Sequence, residues 1–328
     1  MDSANLKRQK INKFGFIWGV TVMKILNFGS LNFDYVYQIQ HFPSPGETIS
    51  ALNRKRFFGG KGLNQSIAVQ SSGYPIFHAG QIGQDGNDLI NVLKKHKIDT
   101  SLINICDIPT GHAVILIDSS GENCIVLDGG ANQKITKDYA DSVLEHFEKG
   151  DILLLQNEIN CLEHIINQSA KRGLNIVFNP APFNKNVLKL PLEKIQYLCM
   201  NTTECLGISG KKDIKSANSW LLTNFPETHL LITLGKHGCI YIYKNTVLSY
   251  GIYNVPVVDT TAAGDTFIGY FIGRLALGDS IEKSLETASR ASSLVVSKAG
   301  ASNSIPTIEE VFSSDIKYQK PDILPFNF

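Results

Sequence analysis

Val257-Val258-Asp259-Thr260-Thr261-Ala262-Ala263-Gly264-Asp265-Thr266-Phe267 passes from β-branched residues into residues small enough for backbone to lie close to a ligand. The two valines predict a short strand. After Asp265, the apolar residues Phe267, Ile268, Phe271, Ile272 and Leu275 recur at helical spacing, and Gly278 is a stop signal. Residues 262–265 are therefore expected to form the first turn of a helix that follows a strand. Free backbone N–H groups and the positive end of the helix dipole meet there, which makes an anion site. A carboxylate in that position has two readings. Asp265 is a helix-start acid favoured by the dipole, or it takes a proton from a hydroxyl attacking a bound phosphate. The stretch alone leaves both open.

Upstream, Ile25-Leu26-Asn27-Phe28 is a short buried strand closed by Gly29-Ser30. A dinucleotide-binding protein places G-x-G-x-x-G at this point. Gly29-Ser30-Leu31-Asn32-Phe33-Asp34 holds one glycine, which excludes a Rossmann dehydrogenase. Asn32 and Asp34 lie two apart, so on an extended chain they share a face. That pair either grips two sugar hydroxyls or forms a solvated strand edge. Residues 35–40 alternate apolar and polar, and His41-Phe42-Pro43-Ser44-Pro45-Gly46-Glu47-Thr48 is turn chemistry. A further strand-like run leads to Phe58. Gly59-Gly60-Lys61-Gly62-Leu63-Asn64-Gln65-Ser66 follows, then a helical pattern to about Ser72 with a stop at Gly73. No G-K-[ST] closes the glycine cluster, so it is not a Walker A motif. It either lets backbone approach a ligand, with Lys61 and Asn64 projecting into one site, or is a plain turn.

With 328 residues, the chain is long enough for one large α/β domain or two small ones. From about Ile82 onward, strand-like runs at 152–155, 175–178, 197–200 and 230–233 alternate with helical segments, which predicts a parallel sheet with helices on both faces. Hairpin-like segments near 30–58 and 100–127 break that rhythm. Apolar content of 43% and charged content of 19% are ordinary for a globular chain, and a net charge of +1 argues against a dedicated nucleic-acid binder. Cys106, Cys124, Cys161, Cys199, Cys205 and Cys239 are scattered, with no C-x-x-C and no Cys/His set at zinc spacing. Reduced thiols in a cytoplasmic protein are expected. No apolar run is long enough to span a bilayer. Lys7, Arg8, Lys10 and Lys13 precede a short apolar run over 14–22, without an A-x-A-like cleavage site. Residues 1–22 are expected to be a flexible extension, with the core starting at Met23.

D-T-T-A-A-G-D-T-F at 259–267 resembles the C-terminal signature of the PfkB sugar kinases, the ribokinase-like family. The likeness continues through G-S-L-N-F-D at 29–34, F-P-S-P-G-E-T at 42–48 and G-G-K-G-L-N-Q-S at 59–66. It extends over G-H-A-V-I-L-I-D-S-S-G-E-N-C-I-V-L-D-G-G-A-N at 111–132, a hairpin pattern turning at Ser119-Ser120-Gly121. It recurs at L-L-Q-N-E (154–158), N-P-A-P (179–182), N-T-T-E (201–204) and L-I-T-L-G-K-H-G (231–238), so the ordered motifs span about 23–306.

The resemblance implies a ribokinase-like three-layer α/β/α fold. Its central sheet would be mostly parallel, with a small β-sheet lid from the segments near 30–58 and 100–127. One kinase domain would cover 23–312, with a C-terminal tail over 313–328. The implied activity is ATP-dependent transfer of the γ-phosphate to the primary hydroxyl of a pentose, first of all D-ribose. Deoxyribose, a hexose such as fructose and an adenosine-like nucleoside are the alternatives. The rival from a different class is a non-catalytic sugar sensor on the same fold, which has no need of a base beside an anion hole.

Carried onto matching positions, the family makes Asp265 the base and Ala262, Ala263 and Gly264, with Asp265, the anion hole. A carboxylate with the usual aspartate pKa of about 3.9 is ionised at neutral pH and suits that work. Asn32, Asp34, Gly60, Lys61, Asn64 and Glu158 would hold the sugar. Asn201, Thr233, Gly235, Gly238, Gly264 and Ser289 would bind ATP. Glu204 would support Mg²⁺ through water, since that ion takes few protein carboxylates. Asp259, Thr261, Val295, Lys298, Gly300 and Ser304 match a site for an activating monovalent cation, K⁺; on its own context Asp259 is a turn cap. Ser289 stands where relatives usually carry Asn or His near the adenine, which puts nucleotide preference in question. The family also implies a homodimer formed through the lid, and no nucleic-acid or membrane partner.

Overall fold

In the computed structural model, which describes residues 16–17, 20–21 and 23–321, the chain alternates short apolar strands with amphipathic helices. It runs β1 (Ile25–Phe28), β2 (Asn32–Gln38), β3 (Asn53–Gly59), α1 (Lys61–Ser71), β4 (Phe77–Gly83), α2 (Asn87–Lys95), β5 (Asp99–Cys106), β6 (Gly111–Ile117), β7 (Asn123–Asp128), α3 (Lys137–Leu144), β8 (Ile152–Gln156) and α4 (Leu162–Arg172). It continues β9 (Asn175–Asn179), β10 (Tyr197–Asn201), α5 (Thr202–Ser209), α6 (Ile214–Asn224), β11 (His229–Thr233), β12 (Cys239–Tyr243), β13 (Thr246–Tyr250), β14 (Ile252–Asn254), α7 (Ala263–Ala276), α8 (Ile281–Val295), α9 (Ile308–Ser313) and β15 (Lys317–Gln319). The expected flexible extension, residues 1–22, lies mostly outside the described residues; within it Phe16–Ile17 pairs antiparallel with Val20–Thr21.

Among the described residues, nine strands form one sheet in the order β13-β12-β11-β10-β9-β8-β1-β4-β5. From β11 to β5 every neighbour is parallel, and β12 and β13 close the other edge antiparallel. Successive side chains of a strand face opposite ways, so strands buried on both sides must be apolar throughout. On β8, Ile152 and Leu154 join one buried cluster, while Leu153 and Leu155 join the other. The first cluster is completed by α1, α2, α7 and α8, the second by α3, α4, α5 and α6. The result is the three-layer α/β/α arrangement.

A second sheet, in the order β3-β2-β6-β7, stands apart from the first. β2 pairs antiparallel with β3 and parallel with β6, and β6 turns into β7 as an antiparallel hairpin. Two expectations need correction. The second lid segment is 111–128 rather than 100–127. β5 follows α2 and returns parallel beside β4 as the edge of the large sheet, as a βαβ crossover does. Val257 and Val258 form no strand and are largely exposed, at 69% and 60%. Their backbone is held instead by the end of α8, where Val258 N donates to Val296 O at 2.8 Å, so tertiary contact overrides β propensity. At the other end of the chain, the expected C-terminal tail includes β15, which pairs antiparallel with β14 and sets Tyr318 against Tyr250 and Tyr253.

Candidate active site

The parallel strands all point their C-terminal ends to one side, where open α/β sheets bind ligands. Gln156, Asn179, Asn201 and Thr233 end β8, β9, β10 and β11 there. α1 and α7 begin over the same edge. These two helices touch through small residues: a Cβ on Gly269 would overlap Ala68, and one on Gly273 would overlap the Ser72 hydroxyl. That close seam brings the first turn of α7 against the middle of α1.

Asp265 consequently lies buried, at 6% exposure, with its carboxylate held from α1. Asn64 Nδ2 donates to Oδ2 at 3.0 Å and Gln65 Nε2 donates to Oδ1 at 2.9 Å. Ala262, at φ 61°, takes the left-handed conformation just before the helix and carries no side-chain cap. Ala263 N reaches back to Thr260 O at 3.2 Å, and Thr266 N to Ala262 O at 2.8 Å. The N–H groups of Gly264 and Asp265 belong to the helix turn that has no carbonyl one turn back. A Cβ built on Gly264 would meet nothing within 4 Å, so the space over this N-terminus is open. Ser292 Oγ on α8 donates to Ala263 O at 3.0 Å and steadies the turn.

Around this point the charges are concentrated. Lys61 starts α1, and its ammonium is held charged by Asp265 first and by Glu158 and Glu204 as well, against the opposing effect of burial. Glu158 accepts from Lys61 N at 2.8 Å and from the Ser30 hydroxyl. Burial pushes the Glu158 carboxyl above the usual range, with Lys61 and these hydrogen bonds opposing. Asp34, on β2 of the small sheet, is pushed up to about 7, by burial first and by the negative Glu158 second. Gly59 lies opposite Asn32 on the neighbouring strand, and a Cβ there would overlap the Asp34 carboxylate. Asn32 is buried beside them, and its Oδ1 accepts from Asn132 Nδ2 at 2.7 Å, which leaves the Asn32 amino group as the one with hydrogen-bonding capacity to spare.

Asn201 and Glu204 form a capping box at the start of α5: Glu204 N donates to Asn201 Oδ1 at 3.0 Å and Asn201 N to Glu204 Oε2 at 2.8 Å. Burial raises the Glu204 carboxyl despite those bonds, and Lys61 and Asp265 lie within electrostatic reach of it. Thr233 pairs with Asn201 across the β10–β11 register. Gly235 (φ 59°) and Gly238 (φ 90°) turn the chain from β11 into β12. A side chain on Gly238 would run into Tyr250 O. Ser289 is buried on α8 and hydrogen-bonds the Cys239 thiol.

The candidate cation residues also meet. Asp259 Oδ1 accepts from Thr261 N (2.9 Å) and Thr261 Oγ1 (2.6 Å), while Oδ2 accepts from Gly300 N (3.0 Å). Burial opposes the charge, but these bonds prevail and hold the Asp259 carboxyl below its ordinary value. Ser304 Oγ donates to Gly300 O at 2.7 Å, and Val295 O accepts from Lys298 N at 3.2 Å. The Lys298 ammonium pairs with Glu310 at 3.0 Å, so only its backbone belongs to this cluster.

Reading the sequence missed several residues of the site. Gln65, Gln156, Asn179, Asn27, Asn132 and Ser30 are all buried and hydrogen-bonded around the groups just described. Their signal was available: a buried strand that ends in an amide, as I-L-L-L-Q and N-I-V-F-N do, must satisfy that amide inside the protein.

The signature of the pfkB family carbohydrate kinases matches residues 23–308. The ribokinase of Staphylococcus aureus is 34% identical over 300 residues, covering 88% of this chain and 98% of that one. The ribokinase of Bacillus subtilis is 34% identical over 288 residues, covering 86% and 96%. Among solved structures, the ribokinase of Arabidopsis thaliana complexed with ribose and ATP superposes with a TM-score of 0.78 at 28% identity, covering 89% of this chain and 98% of that one.

Proposed function

The chain belongs to the pfkB family of carbohydrate kinases, and from that premise we infer that it transfers the γ-phosphate of ATP to the primary hydroxyl of D-ribose, giving D-ribose 5-phosphate and ADP. The observation that carries the reading is the buried Asp265 carboxylate at the open N-terminus of α7. Asp265 takes the proton of the ribose 5-hydroxyl while that oxygen attacks the γ-phosphorus. The new O–P bond forms as the bond to the ADP oxygen breaks. N–H groups of the turn 262–265 stabilise the charge on the transferring group, and Lys61 adds a cation beside it. Asn32, Asp34, Asn64 and Glu158 hold the sugar, and the β11–β12 turn with Thr233, Gly235 and Gly238 shapes the nucleotide site. Release of ADP measured over a panel of pentoses, hexoses and nucleosides tests this; a better substrate than ribose would overturn the ribose assignment.

Glu204 fits Mg²⁺ held largely by water and nucleotide. It is one buried carboxylate, and no group of three or more His, Cys, Asp or Glu able to hold a metal occurs among the described residues. Bound Mg²⁺ would neutralise phosphate charge. Asp259 and the Thr261 carbonyl, with Val295, Lys298, Gly300 and Ser304, fit a monovalent cation, because the donor set is one ionised carboxylate among oxygens. Such an ion would brace the anion-hole loop without touching substrate. Turnover is expected to be higher in K⁺ than in Na⁺ or a bulky organic cation at matched ionic strength. Equal rates in all three would return Asp259 to turn capping.

β7 is the edge of the small sheet, and Ile125, Val126 and Leu127 on it are 57%, 62% and 46% exposed. An exposed apolar edge invites pairing, which supports the homodimer through the lid. Val126→Lys should lower the mass found by sedimentation equilibrium to that of one chain; a monomeric unaltered protein would end the idea. No helix of the described residues is long and apolar enough to cross a membrane. Six free cysteines suit a reducing compartment, so the cytoplasm is the proposed location.

A further inference from the structure

Behind Asp265 runs a continuous chain of buried amides. Gln65 Nε2 donates to Asp265 Oδ1 (2.9 Å) and to Asn179 Oδ1 (3.2 Å). Gln65 Oε1 accepts from Gln156 Nε2 (2.8 Å), which also donates to Asn27 Oδ1 (3.0 Å). Asn27 Nδ2 donates to Gly62 O (2.7 Å) and to Ser66 Oγ (2.8 Å), and Ser66 Oγ meets His78 Nδ1 at 2.7 Å. Asn179 Nδ2 is fixed by Cys199 O at 2.9 Å. Gln65, Gln156, Asn27, Ser66 and His78 are wholly buried, so none of these bonds is exchanged with solvent. The chain crosses β4, β1, β8, β9 and α1 and ends on one oxygen of the Asp265 carboxylate.

We propose that Gln65, locked by Gln156, is a positioning residue for phosphoryl transfer: it fixes Asp265 Oδ1 so that the carboxylate meets the sugar hydroxyl in one orientation. The inference rests on Asp265 as the base. Both ends of Gln65 are determined: the Asp265 carboxylate only accepts, so the Gln65 amino group faces it, and the Gln65 oxygen takes the Gln156 donor. The charged groups near Asp265 from the surrounding elements are Lys61 on α1, Glu158 after β8 and Glu204 on α5. β9 presents the neutral Asn179. The far end of the chain is neutral too, since burial pushes His78 down to about 3. The network therefore delivers geometry and a dipole to Asp265 rather than a second charge. Asn64 holds the other oxygen from the preceding position of α1.

The test compares Gln65→Met, Gln65→Glu, Asp265→Asn and the double variant Gln65→Met/Asp265→Asn, measuring kcat against pH at saturating ribose and ATP, with ribose Kd by calorimetry. Gln65→Met keeps the length but loses the donor, so kcat should fall about ten- to a hundred-fold with Kd nearly unchanged. Gln65→Glu can donate to Asp265 only while protonated and can still accept from Gln156. Its kcat should be closest to the unaltered enzyme at low pH and should fall as pH rises. In the Asp265→Asn background, Gln65→Met should have little further effect on kcat. A Gln65→Met enzyme with the unaltered kcat would overturn the proposal, as would losses that simply multiply in the double variant. If Gln65→Met does not fold, the pH profile of Gln65→Glu decides. If Asp265→Asn itself keeps full turnover, the base assignment fails instead, and the two failures are told apart.

Discussion

Asp265→Asn is expected to lower kcat by about 10²–10⁴-fold while ribose and ATP bind within a few-fold of their original affinity. The substitution keeps the size of the side chain and removes its capacity to take a proton. Asparagine offers one acceptor where the carboxylate offers two, so either Asn64 Nδ2 or Gln65 Nε2 loses its partner. That local loss is small beside the missing base. Lys61 also loses its strongest electrostatic partner, which adds to the fall in rate. Single-turnover measurements with saturating substrates isolate the chemical step, and calorimetry reads binding separately. Turnover within a few-fold of the unaltered enzyme would remove Asp265 from the mechanism.

The second large effect concerns Asp34 and the choice of sugar. An ionised carboxylate that accepts from two hydroxyls makes charge-assisted bonds of roughly 1.5–3 kcal/mol each. Ribose should therefore exceed 2-deoxyribose in kcat/KM by about ten-fold or more. Asp34→Ala should weaken ribose strongly and 2-deoxyribose less, so the gap narrows. A preference for deoxyribose, or equal losses on both sugars, would show that Asp34 does not read that hydroxyl. The same residue carries a pH signature. Burial and Glu158 push its carboxyl up to about 7 in the free protein. The form that accepts from sugar hydroxyls is the ionised one, so ribose affinity should weaken as pH falls through about 7, and Asp34→Asn should abolish that dependence. For folding the sign is opposite. The native pKa lies above the unfolded value of 3.8, so the proton on Asp34 favours the sugar-free fold below that pH, and this contribution is lost as pH rises through about 7.

Periodicity alone was enough for the layers. β1, β8, β9, β10 and β11 appear within a residue or so of the apolar runs that announce them, and α1 and α7 stop near Gly73 and Gly278. Such strands have no polar face, so a sheet covered on both sides is the arrangement open to them. The residues proposed for the site, Asn32, Asp34, Lys61, Asn64, Glu158, Glu204 and Asp265, were picked out through the family resemblance; local pattern alone left Asn32, Asp34, the glycine cluster and Asp265 with structural alternatives. Val257 and Val258 misled, since β-branched residues carry no information about a distant helix end that holds their backbone. β5 misled as well, because an edge strand of the large sheet and a lid strand have the same local pattern.

What local pattern could not supply was partnership. Asn64 and Gln65 lie some two hundred positions from Asp265, and nothing in either stretch says that an α1 amide will hold an α7 carboxylate. The close seam at Gly269 and Gly273 decides it, by letting the two helices touch. The state of Asp34 is likewise tertiary: its carboxyl rises because the fold strips water from it and brings Glu158 near, and sequence spacing expresses neither. The sequence by itself determined which residue types stand at the strand ends and helix starts, because secondary structure is set by neighbours along the chain. The tertiary structure decided which of them share hydrogen bonds and charge, because those interactions act across a few ångströms of space regardless of how much chain lies between.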